Sequence, residues 1–280
     1  MLSYRHAYHA GNFADLLKHI TLIAIAQHLG KKAGAVQYID THAGAGCYNL
    51  TDEKALKTGE FAEGIAKLWA LPQLPPLLAD YRAQVATLNP KGSLTRYPGS
   101  PWFAANNLRE QDTLALCELH NTDFPLLKAQ FKGDRRVRCF HADGYQQSLA
   151  MVPPASKRGL IVIDPSYEVK TEYQKVVNHL QALYKRFATG IYALWYPVVD
   201  AGRLQQLEYN LKQTGIKRIQ LFEFGLHRNH EMPGMHGAGM IVINPPWTLK
   251  QQLGENINWL IEHAYAGTGA YWRTVDIAGE

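Results

Sequence analysis

Residues 159–168 read Gly-Leu-Ile-Val-Ile-Asp-Pro-Ser-Tyr-Glu, and the first half of that stretch leaves few folds open. Residues 160–163 form an unbroken apolar run rich in branched side chains, which predicts a buried central strand. The run stops abruptly at Asp164-Pro165. A carboxylate at the carboxyl end of such a strand stands where open α/β sheets bind their ligands.

The rest of the chain alternates around this strand. Strands are predicted at residues 36–40, 113–118, 137–141, 159–164, 191–196, 218–224 and 239–244, seven in all, three of them after the central one. Helices are predicted at residues 173–186, 204–213 and 248–263, and an amphipathic helix at residues 12–30 with Asn12 as its N-cap and Gly30 as its stop. Strands interleaved with helices imply a mostly parallel, doubly wound sheet. Between residues 50 and 97 the alternation lapses into two helical segments around a proline-rich turn, which reads as a helical insertion within one 280-residue domain. Residues 97–101, Tyr-Pro-Gly-Ser-Pro, then turn the chain into the next helix.

Composition narrows the setting. Hydrophobic residues make up 46% and charged residues 19%, an ordinary globular balance. A net charge of +5 and a pI near 9.0 favour a polyanionic partner, with basic clusters at Lys31-Lys32, Arg135-Arg136-Arg138, Lys185-Arg186 and Lys217-Arg218. Each cluster taken singly reads as a solvated face. Three scattered cysteines give neither a disulfide framework nor a zinc ribbon. The polar N-terminus lacks a signal-peptide core and no apolar run reaches membrane-spanning length, so a cytoplasmic protein without a membrane partner is expected.

Four strand ends carry the candidate chemistry. Residues 40–46, Asp-Thr-His-Ala-Gly-Ala-Gly, form a glycine loop after the first strand in which Gly44 and Gly46 let backbone approach a ligand; NAD, FAD and S-adenosylmethionine all suit such a loop. Glu118 ends the second strand, where a carboxylate suits two ribose hydroxyls. Asp143-Gly144 follows the third, within reach of an adenine edge. Together these spacings fit an S-adenosylmethionine site.

At the fourth strand, Asp164-Pro165-Ser166-Tyr167 differs by one residue from the Asp-Pro-Pro-Tyr with which many methyltransferases hold an amino group of a base. The amino nitrogen of adenine is a poor nucleophile because its lone pair is delocalised into the ring. An Asp164 oxygen and the Pro165 carbonyl could accept its two N–H groups and aim the lone pair at the sulfonium methyl, while Tyr167 stacks on the extruded base. A strand-ending Asp-Pro turn beside a core tyrosine is the plain alternative. Residues 244–247, Asn-Pro-Pro-Trp, match the pattern better, but with only a terminal helix after them they read as a strand-to-helix turn. His6, His9, His227, His230 and His236 have loosely metal-like spacing without the Cys or Asp to complete a ligand set, so no metal is expected.

With these residues in view, the chain resembles the RlmJ family of 23S ribosomal RNA adenine-N6 methyltransferases. The resemblance spans residues 1–15 (Met-Leu-Ser-Tyr-Arg-His-Ala-Tyr-His-Ala-Gly-Asn-Phe-Ala-Asp), Leu-Lys-His at 17–19, the loop at 40–46, Tyr-Pro-Gly-Ser-Pro at 97–101, Ala-Asp-Gly at 142–144, Lys-Arg-Phe-Ala-Thr-Gly at 185–190, Tyr-Ala-Leu-Trp-Tyr-Pro at 192–197 and Gly-Met-Ile-Val-Ile-Asn-Pro-Pro-Trp at 239–247. It implies a Rossmann-like class I fold with a small helical insertion, S-adenosylmethionine as cofactor and 23S ribosomal RNA as partner; a monomer is expected. It also implies that His19, His42, Ser100, Glu118, Asp143, Gly144 and Asp164 line the cofactor pocket, that Asp164 is catalytic, and that Tyr4, His6 and Lys18 lie on the RNA side. Without the resemblance Lys18 reads as a surface lysine and Tyr4 as part of a disordered tail. Ser166 departs from the family's second proline and predicts a looser loop. Two other readings stay open: a DNA adenine methyltransferase, and a catalytically silent nucleic-acid-binding protein connected with the use of external DNA.

Overall fold

The first long helix, α1 (Phe13–Gly30), begins where its cap predicts: Asn12 is extended and its side chain accepts a hydrogen bond from the Asp15 amide. It is not amphipathic in the expected sense. Fifteen of its eighteen residues are buried, including Asp15, Lys18, His19 and Thr21, because the sheet covers one side and later helices cover the other. This computed structural model describes residues 5–227 and 234–279.

Ten strands follow: β1 (Gln37–Asp40), β2 (Cys47–Asn49), β3 (Arg96–Pro98), β4 (Thr113–Cys117), β5 (Val137–Phe140), β6 (Gly159–Ile163), β7 (Ile191–Val198), β8 (Ile219–Gly225), β9 (Gly237–Ile243) and β10 (Tyr271–Ala278). Eight of them form one sheet in the order β10-β8-β9-β7-β6-β1-β4-β5. Strands β5, β4, β1, β6 and β7 are parallel; β9 runs antiparallel between β7 and β8, and β10 runs antiparallel along β8. The fold class is therefore the Rossmann-like one expected, with two corrections. Residues 239–244 lie inside the sheet rather than closing it, and Tyr271–Ala278 adds an eighth strand. That strand escapes sequence reading because most of its residues are only half-buried, so no apolar run marks it.

Strands β2 and β3 pair separately as a small antiparallel ribbon. Between them lie α2 (Glu53–Thr58), α3 (Ile65–Ala70) and α4 (Pro76–Thr87), with α4 packed on α1. The remaining helices are α5 (Ser100–Asn107), α6 (Asp123–Gln130), α7 (Gly144–Met151), α8 (Glu172–Arg186), α9 (Ala201–Gln213) and α10 (Leu249–Ala264). Period-two alternation divides the core: Tyr38, Leu160 and Val162 face α1, α5 and α10, whereas Ile39, Ile161 and Ile163 face α8 and α9. Strand β6 is buried on both faces along its whole length.

Register sets the functional edge. Asp40 pairs with Leu116 on one side and Val162 on the other, so the loops after β1, β4 and β6 open together. Asn244 lies at the opposite edge, since Ile243 pairs with Tyr192 and Ile219 near the starts of β7 and β8. The antiparallel direction of β9 is what removes Asn-Pro-Pro-Trp from the site. A strand does follow it, contrary to the sequence reading.

Candidate active site

Asp164 leaves β6 with its Oδ2 2.8 Å from Lys18 Nζ. The same ammonium lies 2.8 Å from Asp15 Oδ1. Asp15 Oδ2 in turn accepts from the Gly11 amide at 2.8 Å and sits 2.9 Å from His6 Nε2. Burial alone would lower the Lys18 ammonium, but the Asp15 and Asp164 carboxylates outweigh it and hold the group well above its ordinary range. Burial would likewise raise the Asp15 carboxyl, and the His6 and Lys18 charges hold it well below the usual carboxylate range. A charged, immobile lysine thus fixes one oxygen of Asp164. No described residue donates to its Oδ1.

On one side of this carboxylate lies a cleft formed by the strand-end loops. Glu118 closes it below β4, its Oε2 accepting from the Gly44 amide at 2.8 Å and its Oε1 from the His120 amide at 2.6 Å. Burial raises the Glu118 carboxyl, partly offset by those two bonds. Gly44 has φ +63°, and a Cβ there would collide with the Tyr48 hydroxyl, so only glycine fits. Asp143 caps α7 by accepting from the Tyr145 amide at 2.8 Å through Oδ1, leaving Oδ2 without a described donor. At Gly144 a Cβ would run into the Thr41 carbonyl, so α7 can abut the first loop only without a side chain. His42, pushed down to about 4 by burial, lines the cleft as a neutral imidazole. Ser100 Oγ donates to Asp40 Oδ2 at 2.7 Å and ties α5 to β1.

On the other side lies a second cavity that shares His6, Lys18, Asp164 and Ser166 with the first. Part of its wall is aromatic, and His9, Asn12, Asp15 and Glu60 line the rest. Tyr167, held at φ +53°, donates its hydroxyl to the Trp195 carbonyl at 2.9 Å and packs 4.7 Å from the Tyr173 ring. Trp195, Tyr173 and Arg203 complete the enclosure. The arrangement offers two cavities that meet at one oriented carboxylate, the second with aromatic rings along part of its wall.

A family model described as RsmJ: Ribosomal RNA large subunit methyltransferase D, RlmJ, matches residues 33–276. The chain belongs to this family. It is 50% identical over 270 residues to "Ribosomal RNA large subunit methyltransferase J" of Escherichia coli (strain K12), covering 96% of both chains. With the protein of the same name from Haemophilus influenzae (strain ATCC 51907 / DSM 11121 / KW20 / Rd) it shares 44% identity over 273 residues and 97% of both chains. Its fold matches the crystal structure of protein LPL1258 from Legionella pneumophila with a TM-score of 0.89 and 36% identity, over 96% of this chain and 98% of that one.

Of the residues that the RlmJ-family resemblance points to, His42, Ser100, Glu118, Asp143, Gly144 and Asp164 converge on the first cleft, as do Gly44 and Pro165. His19 does not reach it. Fully buried, it lies beneath the cleft with Nδ1 2.7 Å from the Tyr97 hydroxyl and its ring 4.5 Å from Phe103. Lys18 is only 4% exposed, which overturns the surface-lysine reading. Together with His6 it lines both cavities, and Tyr167 lines the second. Tyr4 and His230 lie outside the described residues. Sequence reasoning missed Asp15, Trp195 and Arg203. Asp15 alone left a signal, its i,i+3 spacing from Lys18 on a helix whose neighbours are apolar.

Proposed function

We propose that the chain transfers a methyl group from S-adenosylmethionine to N6 of an adenine in 23S ribosomal RNA, as one methyltransferase domain in which residues 50–97 are a helical insertion. The observation that carries this is the Lys18-held Asp164 at the junction of two cavities, the second with aromatic rings along part of its wall. The residues fit the cofactor: Glu118 offers carboxylate lone pairs to ribose hydroxyls, the vacant Oδ2 of Asp143 can accept from an adenine amino group, and the glycines at 44 and 144 keep backbone close. Bound there, the cofactor supplies an electrophilic methyl group on a sulfonium.

The chain's own residues do the rest. Asp164 Oδ1 and the Pro165 carbonyl accept the two N–H groups of the target adenine, drawing its nitrogen toward tetrahedral geometry and stabilising the positive charge that develops on it, until one of the two N–H protons leaves the methylated nitrogen for solvent. Tyr167, Tyr173 and Trp195 give the extruded base an aromatic wall to pack on. Lys18 keeps Asp164 oriented. RNA is favoured over DNA by the relatives, both named for the large-subunit ribosomal RNA.

Incubation with methyl-labelled S-adenosylmethionine and either unmodified 23S RNA or duplex DNA tests the reading. Label is expected in the RNA, recovered after digestion as N6-methyladenosine. Label confined to DNA, or to neither nucleic acid, rejects it.

A further inference from the structure

We propose that the sheet edge opposite the cleft is a second contact for single-stranded RNA, with Trp247 as its stacking platform. The proposal rests on the substrate being RNA. The Asn-Pro-Pro-Trp turn leaves β9 where the parallel strands begin. Asn244, at φ +53°, donates its side-chain amide to the Ala188 and Gly190 carbonyls, both at 2.8 Å, and so pins the turn to the loop after α8. Pro245 and Pro246 are buried. Trp247 is not. At 83% exposure it is the most exposed large hydrophobic residue among those described, so its indole does nothing for the core. An exposed π-face on a pinned turn is what unpaired bases stack on.

Its surroundings are cationic. Arg218 adopts φ +56°, a conformation that disfavours any residue but glycine or asparagine, and its guanidinium reaches 3.5 Å from the Pro245 carbonyl, next to the tryptophan. Lys217 beside it is exposed, as is Lys185 at the end of α8, which leads into the pinned loop. Neither these lysines nor Arg218 forms an ion pair with a described carboxylate. Asp276, paired in register with Gln220 of β8, is taken up by Lys250 at 2.8 Å. Arg186 is turned away to the Leu149 carbonyl and plays no part. A protein partner would meet one indole amid charge with little apolar surface around it, whereas a nucleic-acid strand can stack one base and place flanking phosphates against the three cations. Strand β7, eight residues long, separates the two edges by about 26 Å. The second edge therefore engages RNA beyond the target nucleotide.

Two measurements test this. The first is fluorescence anisotropy of a labelled oligouridylate across a salt series. Trp247→Ala and the double charge reversal Lys217→Glu/Arg218→Glu are expected to weaken binding by about fivefold or more. The reversal should also flatten the logarithmic salt dependence by about 0.7 for each phosphate that the protein no longer neutralises. Trp247→Phe, which keeps a stacking ring, should retain most of the affinity. The second is steady-state methyl transfer. Trp247→Ala and the charge reversal should raise KM for full-length 23S RNA while kcat, and both constants on the shortest fragment that accepts a methyl group, stay unchanged. Equal affinity of parent and variants, or a decrease of the same size on long and short RNA, overturns the proposal. If the parent methylates no RNA, the functional reading falls, and the anisotropy series alone decides this one.

Discussion

Lys18 turns Asp164 from a strand-ending aspartate into an oriented acceptor, because a buried ammonium 2.8 Å from Oδ2 holds that oxygen in place. The residue that follows Pro165 works in the other direction. Ser166 adds only a long contact, 3.5 Å from its Oγ to Glu168 Oε2, and sits before a tyrosine already held at φ +53°. A proline there would fix its own φ and restrict Pro165 to extended backbone, presetting the carbonyl proposed to accept the second N–H. Ser166→Pro is therefore expected to speed methyl transfer in single-turnover kinetics; an unchanged or slower rate contradicts this. The individual acids were legible because each stands at a strand end, where Glu118, Asp143 and Asp164 are separated by regular βα units. The spacing of Asp15 and Lys18 was visible but their burial was not, because an i,i+3 charge pair on a helix reads the same whether solvent or protein surrounds it. His19 shows the same limit: nothing in its neighbours distinguishes a cleft wall from the layer beneath it.

At the level of elements, two histidines take part in helix packing and carry a pH dependence. His19 holds α1 to Tyr97 and Phe103, and burial depresses its imidazole well below the ordinary value. His179 of α8 lies 3.1 Å from the Ser148 hydroxyl of α7, and burial pushes it down to about 4. Both are neutral in the folded chain and titrate near 6.5 when unfolded. Their contribution is thus complete above pH 6.5 and is lost as pH falls below it, toward the depressed folded values. For His179 this amounts to about 3 kcal/mol. The raised carboxyls of Asp40 and Glu118 act in the opposite direction, so the difference between parent and variant is the clean readout. His179→Gln should lose less melting temperature than the parent between pH 7 and pH 4; identical slopes contradict the assignment. Elements with full burial on both faces, β6 above all, were readable from composition. Strand β10 and the β2–β3 ribbon were not, since half-buried edges and three-residue pairs leave no period to detect.

For the molecule as a whole, the doubly wound sheet brings residues far apart in sequence to one edge and leaves a charged, tryptophan-bearing edge at its other end. Lys18 and Asp164 are one example: they are 146 positions apart and meet because α1, packed across β7, β8 and β9, brings its first turns to the end of β6. The succession of strands along the chain was legible from alternation, but their order across the sheet, and a contact between the first helix and the end of the central strand, belong to packing and have no local trace. The central claim is that this contact orients Asp164 for methyl transfer, and Lys18→Met tests it most directly. At saturating S-adenosylmethionine and unmodified 23S RNA, the single-turnover rate of the variant should fall by about 100-fold or more while its affinity for the cofactor stays close to that of the parent. A rate within about twofold of the parent, with the fold intact, would show that Asp164 needs no such hold and would contradict the account.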